Sequence, residues 1–272
     1  MKKIMTMSLL LVLMLTIFTG CKKENTQVDG SNDASLTTIL DKKKLILGLD
    51  KSFPPMGFEN DNQEIVGFDI DVAKEVANRM GIELVIQPIS WKAKELELST
   101  KNIDCIWNGM SYNKQRDEEL TLTSAYMKNS QVAVVLASSS VNKIGDLAGK
   151  TVIIQNGSTA SDAMDEDLEL KNSLKELILV EDNVQALLDL KTSGSDAVVL
   201  DEVVARYYVE KEEGTYRILD DVLAEEDYVI GFRKGEVALA NEVENQLKSM
   251  AADGTLAKLS EAWFGKDLTT IK

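Results

Sequence analysis

The sequence predicts an α/β protein of two lobes, each a mostly parallel sheet flanked by helices, with two strands connecting the lobes. From Lys44 onward, short apolar runs alternate with longer amphipathic ones in the order strand, helix, strand, helix, strand, which pairs strands in parallel and covers the sheet with helices. A second series of the same kind begins after Tyr126. The stretch after Asp227 is too short for a third domain, so it is expected to return to the first lobe and make the chain cross twice between them.

KLILGL (44–49) is short and apolar, as a buried strand requires. In GFDIDVAKEVANRMG (67–81), Ile70, Ala73, Val76, Ala77 and Met80 fall on one helical face, and Gly81 supplies the cap. IELVIQ gives the next strand and KAKELELSTKN (92–102) a short helix. IDCIW (103–107) is the third strand, expected to stop at Asn108-Gly109 and open into the polar loop NGMSYNKQR. In the second series QVAVVLA is extended, TVIIQ (151–155) is a buried strand, and SDAMDEDL is helical. ELILV is another strand, NVQALLDLKTSG a helix closed by Gly194, DAVVL (196–200) a further strand and DEVVARYYVEKEE a helix. DYVIGFRKG (227–235) and two helices through Trp263 finish the chain. YMKNSQVAVV and EEDYVIGF are the expected connecting pair, giving one lobe residues 36–130 plus 228–272 and the other 131–227.

The amino terminus follows a different logic. MKKIMTMSLLLVLMLTIFTGC joins two lysines to an apolar run and small residues before Cys21, the layout of a secretory signal peptide over 1–20 that is too short for a comfortable membrane span. The segment ending at Cys21 resembles a bacterial lipobox, in which cleavage precedes a cysteine whose thiol is then lipidated; an ordinary signal peptide with an incidental cysteine is the alternative. Residues 21–35, including KKENTQVDGSNDAS, offer almost nothing to a core and read as a flexible tether holding a monomeric domain at the cell membrane.

Composition narrows the function. Removing residues 1–20 takes away Lys2 and Lys3 and no acid, so the formal charge of −15 becomes −17. That balance argues against nucleic acid, whose phosphates demand a basic face. Histidine is absent, which removes the commonest general base and metal ligand together, and no metal or cofactor is expected. Cys105 is left without a disulfide partner once Cys21 is lipidated and reads as a small buried hydrophobe. No phosphate-cradling glycine motif or nucleophile elbow occurs.

Six segments, GLDKSFPPMGFE (48–59), VGFDIDVAKEVANRMG (66–81), KNIDCIWNGMSYNKQR (101–116), TVIIQNGSTA (151–160), DAVVLDEVVA (196–205) and AWFGKDLT (262–269), occur in the order found in the polar amino-acid binding proteins of ATP-driven importers. The chain resembles that solute-binding family from Lys44 to its end. The resemblance implies the two-lobed periplasmic-binding-protein, or Venus flytrap, fold, with a ligand held between lobes at the carboxyl ends of strands. It also implies a permease and an ATPase as partners. The family pattern Ser-Ser-x-Ser, then four residues and Arg, is met by Asn108 and Gly109 in place of the first two serines, with Met110 intervening and Ser111 and Arg116 matching. Gly109 would let backbone approach the ligand. Arg116 would fork onto the ligand's α-carboxylate, the alternative being a surface pair with Asp117 or Glu118.

From the other lobe Gln155, Gly157, Ser158 and Thr159 lie between a strand and a helix start, where amides and hydroxyls can hold an anion; a simple cap by Ser158 or Thr159 is compatible with that. Asp201 matches the family's receiver of the α-ammonium, and in isolation reads as a helix cap. Asp50, Phe53 and Trp91 fall where the family contacts the ligand's side chain, though both aromatics suit a core equally, and Phe58 and Glu59 are candidate outer contacts. The expected function is a non-enzymatic receptor for an amino acid of the arginine/lysine, glutamine or cystine class. A dehydratase acting on small carboxylic acids, with Glu59 as acid or base, is the enzymatic alternative.

Overall fold

The computed structural model describes residues 33–272, so the leader, Cys21 and most of the tether lie outside the described residues. The first half contains α1 (Ser35–Lys42), β1 (Lys44–Leu49), β2 (Ser52–Phe53), β3 (Gly57–Glu59), β4 (Ile65–Val66), α2 (Phe68–Met80), β5 (Glu83–Pro88), α3 (Lys94–Ser99), β6 (Cys105–Ser111), α4 (Lys114–Glu119) and β7 (Leu120–Leu122). Then come β8 (Met127–Leu136), β9 (Thr151–Gln155), α5 (Thr159–Glu166), α6 (Leu168–Ser173), β10 (Glu176–Val180), α7 (Asn183–Lys191), β11 (Ala197–Asp201) and α8 (Glu202–Lys211). The chain closes with β12 (Tyr216–Arg233), α9 (Val237–Ala252) and α10 (Thr255–Phe264).

One sheet runs through both halves in the order β10-β9-β11-β8-β12-β6-β1-β5, with β7 also on β12. β1 lies parallel to β5 and β6, and β9 parallel to β10 and β11, so each half has the parallel core that strand–helix alternation dictates. The halves meet along antiparallel β8 and β12, where Ser130 faces Glu225 and Met127 faces Tyr228. β2, β3 and β4 form a separate small sheet that the sequence pattern did not reveal.

The periodicity that predicted α2 is visible in its burial: Ile70, Ala73, Val76 and Ala77 are inaccessible, and left-handed Gly81 (φ 68°) donates its N–H to the Ala77 and Asn78 carbonyls. Local expectations fail at several places. β6 continues through Asn108 and Gly109 to Ser111, because Met110 and Ser111 pair with Val229 and Tyr228 of β12, with a register shift that absorbs Gly109 at φ 57°. The residue that ends α7 in the left-handed region is Ser193 (φ 63°), not Gly194. Residues 91–93 form a 3₁₀ turn ahead of the shorter α3. β12 begins at Tyr216, nine residues before the expected connecting strand, because its partner is the long β8 rather than a core that would show as an apolar run.

The end of the tether is also anchored. Asp33 accepts the Ala238 N–H at 2.6 Å and Ser35 Oγ that of Leu239 at 3.1 Å, filling donors that α9 leaves free at its start. Asp104 ties this corner together: its buried carboxylate receives Lys42 at 2.6 Å, the Ile46 N–H at 2.8 Å and Arg233 at 3.4 Å, joining α1, β1 and β12. Among the described residues no helix is long and apolar enough to cross a membrane.

Candidate functional site

The carboxyl end of β6 is held by buried polar contacts. The Gly109 N–H donates to Asp69 at 2.7 Å and the Tyr126 hydroxyl to the same carboxylate oxygen at 2.9 Å; burial pushes the Asp69 carboxyl up to about 7. A Cβ at position 109 would stand 2.7 Å from Phe53 Cε1 and 3.1 Å from the Tyr228 ring, so glycine is required by packing as well as by its φ. Two residues on, the Ser111 hydroxyl donates to Glu226 at 2.6 Å. Asn113 then caps α4 by accepting the Arg116 N–H at 2.7 Å. This fixes the turn that points Arg116 inward.

Arg116 is 6 % exposed, which excludes the surface-pair reading. Its guanidinium donates to the Ser111 carbonyl at 2.6 Å and to the Gly157 carbonyl at 3.4 Å. The arginine ion pairs among the described residues belong to Arg79, Arg206 and Arg233, so this buried cation has only neutral oxygens for partners. Burial lowers its pKa, opposed by the nearby acids Glu95, Asp162, Glu226 and Asp201.

Opposite, β9 ends at Gln155 and turns through Gly157 at φ 75°. Ser158 caps α5, accepting the Ser161 N–H at 3.3 Å while its own hydroxyl donates to the Gln155 carbonyl at 2.7 Å, so the cap expected there is present. Asp201 is not a cap by side chain. Its Oδ1 accepts Asn129 Nδ2 and the Tyr228 hydroxyl, both at 2.7 Å. Beside it, Glu226 Oε2 accepts Ser111 Oγ, Asn129 at 2.9 Å and Gln131 at 3.0 Å. Burial and the neighbouring Glu226 charge push Asp201 up to about 7.

These walls close on a narrow gap with room for about 10 Å³, lined by Phe53, Trp91, Gly109, Ser111 and Arg116 from the first half and by Gln155, Ser158, Thr159 and Asp201 from the second. A buried cation and a buried carboxyl therefore line one space from opposite sides. Across its edge Gln155 Nε2 donates to Asp50 Oδ2 at 2.7 Å, and burial raises the Asp50 carboxyl to about 6. Larger clefts exist, one beside α1 lined by Lys42, Asp104 and Arg233, where both cations already pair with Asp104. In the gap between the halves, the lining cation Arg116 and the lining acid Asp201 form no ion pair among the described residues.

Six other sequence-chosen residues stand elsewhere. Asp50 and Gly157 sit at the edge, the first through Gln155 and the second through its carbonyl. Asn108 lies beneath, its Oδ1 accepting the Asp50 N–H at 3.0 Å. Met110 turns into a core with Trp91, Ile106, Leu120 and Val229, because side chains alternate along β6. Phe58 is paired opposite Ser52 on the β2–β3 hairpin, on the face away from Phe53, and packs 5.7 Å from Tyr207 and 6.1 Å from Trp263. Glu59 is exposed and paired with Lys51 at 2.9 Å.

Sequence reasoning missed Lys94, Asn129, Gln131 and Glu226, all buried here. Lys94 did carry a signal: Trp91, Lys94 and Leu98 are spaced three and four apart and share the buried face. Glu226 carried none, since a Glu-Glu-Asp run in isolation describes a solvated edge.

Residues 45–266 match the model of the bacterial extracellular solute-binding proteins, family 3, and the chain belongs to that family. It is similar to the L-cystine-binding protein TcyJ of Escherichia coli K12, at 24 % identity over 88 % of this chain and 89 % of that one. Similarity to the arginine-binding extracellular protein ArtP of Bacillus subtilis 168 is 30 % identity over 82 % and 87 %. Among solved structures, a substrate-binding protein of an ABC uptake transporter from Streptococcus pneumoniae with bound histidine superposes with a TM-score of 0.85 at 36 % identity, covering 88 % of this chain and 99 % of that one.

Proposed function

We propose that this chain captures a free polar L-amino acid of the arginine/lysine, glutamine or cystine class between its lobes and hands it to an ABC permease powered by a cytoplasmic ATPase, without catalysing a reaction. The observation that carries this reading is the opposition of Arg116 and Asp201 across one cavity, a cation for the α-carboxylate and an acid for the α-ammonium. Thr159 at the start of α5 adds donors for the carboxylate end, with Ser158 lining the same wall, and Phe53 and Trp91 flank the side chain. Because each half supplies one ionic partner, a zwitterion is held fully only when the lobes meet, and the ligand's differential affinity for the closed form drives closure. The moving units are 36–130 with 228–272 and 131–227, hinged where β8 and β12 cross. The protein acts outside the cytoplasm as a monomer tethered by lipidated Cys21.

Glu59, the carboxylate named for a dehydratase reading, is exposed and paired with Lys51, away from the residues that line the cavity. Thermal unfolding of the protein against the common amino acids and cystine tests the proposal: a ligand at about 100 times its Kd adds about 2.7 kcal/mol. A protein stabilised by none of them would not be an amino-acid receptor.

A further inference from the structure

Lys94 is a lysine almost without access to water, 2 % exposed, whereas long cationic side chains ordinarily keep their heads in solvent. Its Nζ donates to the Gly157 carbonyl at 3.0 Å and to the Trp91 carbonyl at 3.3 Å, and stands 5.0 Å from the centre of the Trp91 ring, which forms part of the cavity wall. Arg116 reaches the same Gly157 oxygen at 3.4 Å. One neutral carbonyl thus serves two buried cations. The ion pair Lys94 makes with Glu95, at 3.1 Å, uses a side chain 37 % exposed and therefore weakened by water. Burial first, and then repulsion from Arg116, pull the Lys94 pKa down to about 8. The wall at Gly157 therefore carries two buried cations whose charge Glu95 and Asp162 offset only in part.

We infer that Lys94 is a specificity-determining residue that grips the ligand's α-carboxylate together with Arg116, so that the site demands a free carboxylate. The inference rests on the proposed amino-acid reading of the cavity. Arg116 lines the cavity and Lys94 stands just behind its Trp91 and Gly157 wall, so an anionic oxygen that reaches the guanidinium would draw the ammonium off the carbonyl that both cations share. Arg116 supplies a planar fork and Lys94 a point charge, so the two donors do not compete for the same lone pairs. A purely mechanical role would instead make the Lys94–Gly157 hydrogen bond a clasp between the halves, indifferent to the ligand's carboxylate.

Isothermal titration separates the two. Purified wild-type, Lys94→Met and Lys94→Arg proteins are titrated with L-arginine, L-histidine, L-glutamine and L-cystine, each beside its carboxamide, after thermal unfolding has shown the variants folded. The expected result is that Lys94→Met weakens whichever amino acid wild type binds by about 10- to 100-fold while changing its amide by less than about 3-fold, and that Lys94→Arg keeps most of the discrimination. Lys94→Gln, which keeps a donor to Gly157, carries the comparison should Lys94→Met fail to fold. Equal weakening of acid and amide, or an unchanged acid, overturns the inference and leaves the amino-acid function standing. A wild-type protein that binds none of these four and is stabilised by no other common amino acid removes the function and the inference together.

Discussion

Arg116 permits a test in which binding and stability are expected to move separately. Replacing it by Met keeps the aliphatic stem and deletes a cation that is 6 % exposed and bonded to two neutral carbonyls. In the unliganded protein the lost hydrogen bonds, about 1.5–3 kcal/mol each for a charged donor, are offset by relief of a desolvation penalty of several kcal/mol, so stability should stay within about 2 kcal/mol of wild type. Binding loses the forked contact to the ligand carboxylate, worth about 2–5 kcal/mol, or at least about 30-fold in Kd. At a ligand concentration about 100 times the wild-type Kd, wild type gains about 2.7 kcal/mol and the variant at most about 0.9 kcal/mol. For a domain of this size those figures correspond to rises in melting temperature of about 5–11 °C and about 3 °C or less. Differential scanning fluorimetry with and without ligand reads both quantities. A variant that melts far below wild type yet keeps the full ligand-induced rise would show that Arg116 holds the fold and not the ligand.

The buried acids give the second test. Asp201, raised to about 7, must be ionised to receive an ammonium, so affinity should climb about tenfold per pH unit below pH 7 and level off above it, with proton release on binding measurable by calorimetry in buffers of different ionisation enthalpy. Lys94, lowered to about 8, adds a fall in affinity above that pH if it grips the carboxylate, which Lys94→Arg should abolish. The stability of the unliganded protein should move oppositely to the affinity across the acid range. Asp50, Asp69 and Asp201 all bind protons more tightly folded than unfolded, so their contribution is full below about pH 4 and is lost as pH rises towards 7; denaturant titrations of Asp201→Asn should show a shallower decline. Gly109→Ala places a Cβ 2.7 Å from Phe53 at a left-handed φ and should cost about 1–3 kcal/mol in urea unfolding while weakening the ligand by disturbing Phe53; an unchanged midpoint would refute the packing account. Asp104→Ala strands Lys42 and Arg233 far from the cavity, and should cost about 3–5 kcal/mol with Kd altered less than about 3-fold.

Much of the architecture was legible because it is written in local periodicity. The apolar run of β1 and the heptad-like face of α2 bury the residues their spacing implies, and the parallel pairing follows from alternation with helices. The site was legible where a motif is short: Ser111 and Arg116 sit five residues apart, and the cap at Asn113 sets their relation locally. Phe58 and Met110 were misplaced because strand facing depends on register, and a single residue of offset turns a side chain from cavity to core.

What the chain determined alone is the order of strands and helices, the turn that aims Arg116 and the cap that opens α5, since each depends on neighbours within a few residues. The tertiary structure decided which buried charges share a space. Ser111 meets Glu226 across 115 positions and Gln155 meets Asp50 across 105, and no local pattern records such a meeting. Only when β12 is laid between β6 and β8 does an acidic run that reads as solvated become a desolvated carboxylate beside Asp201, with its charge felt because water has been removed.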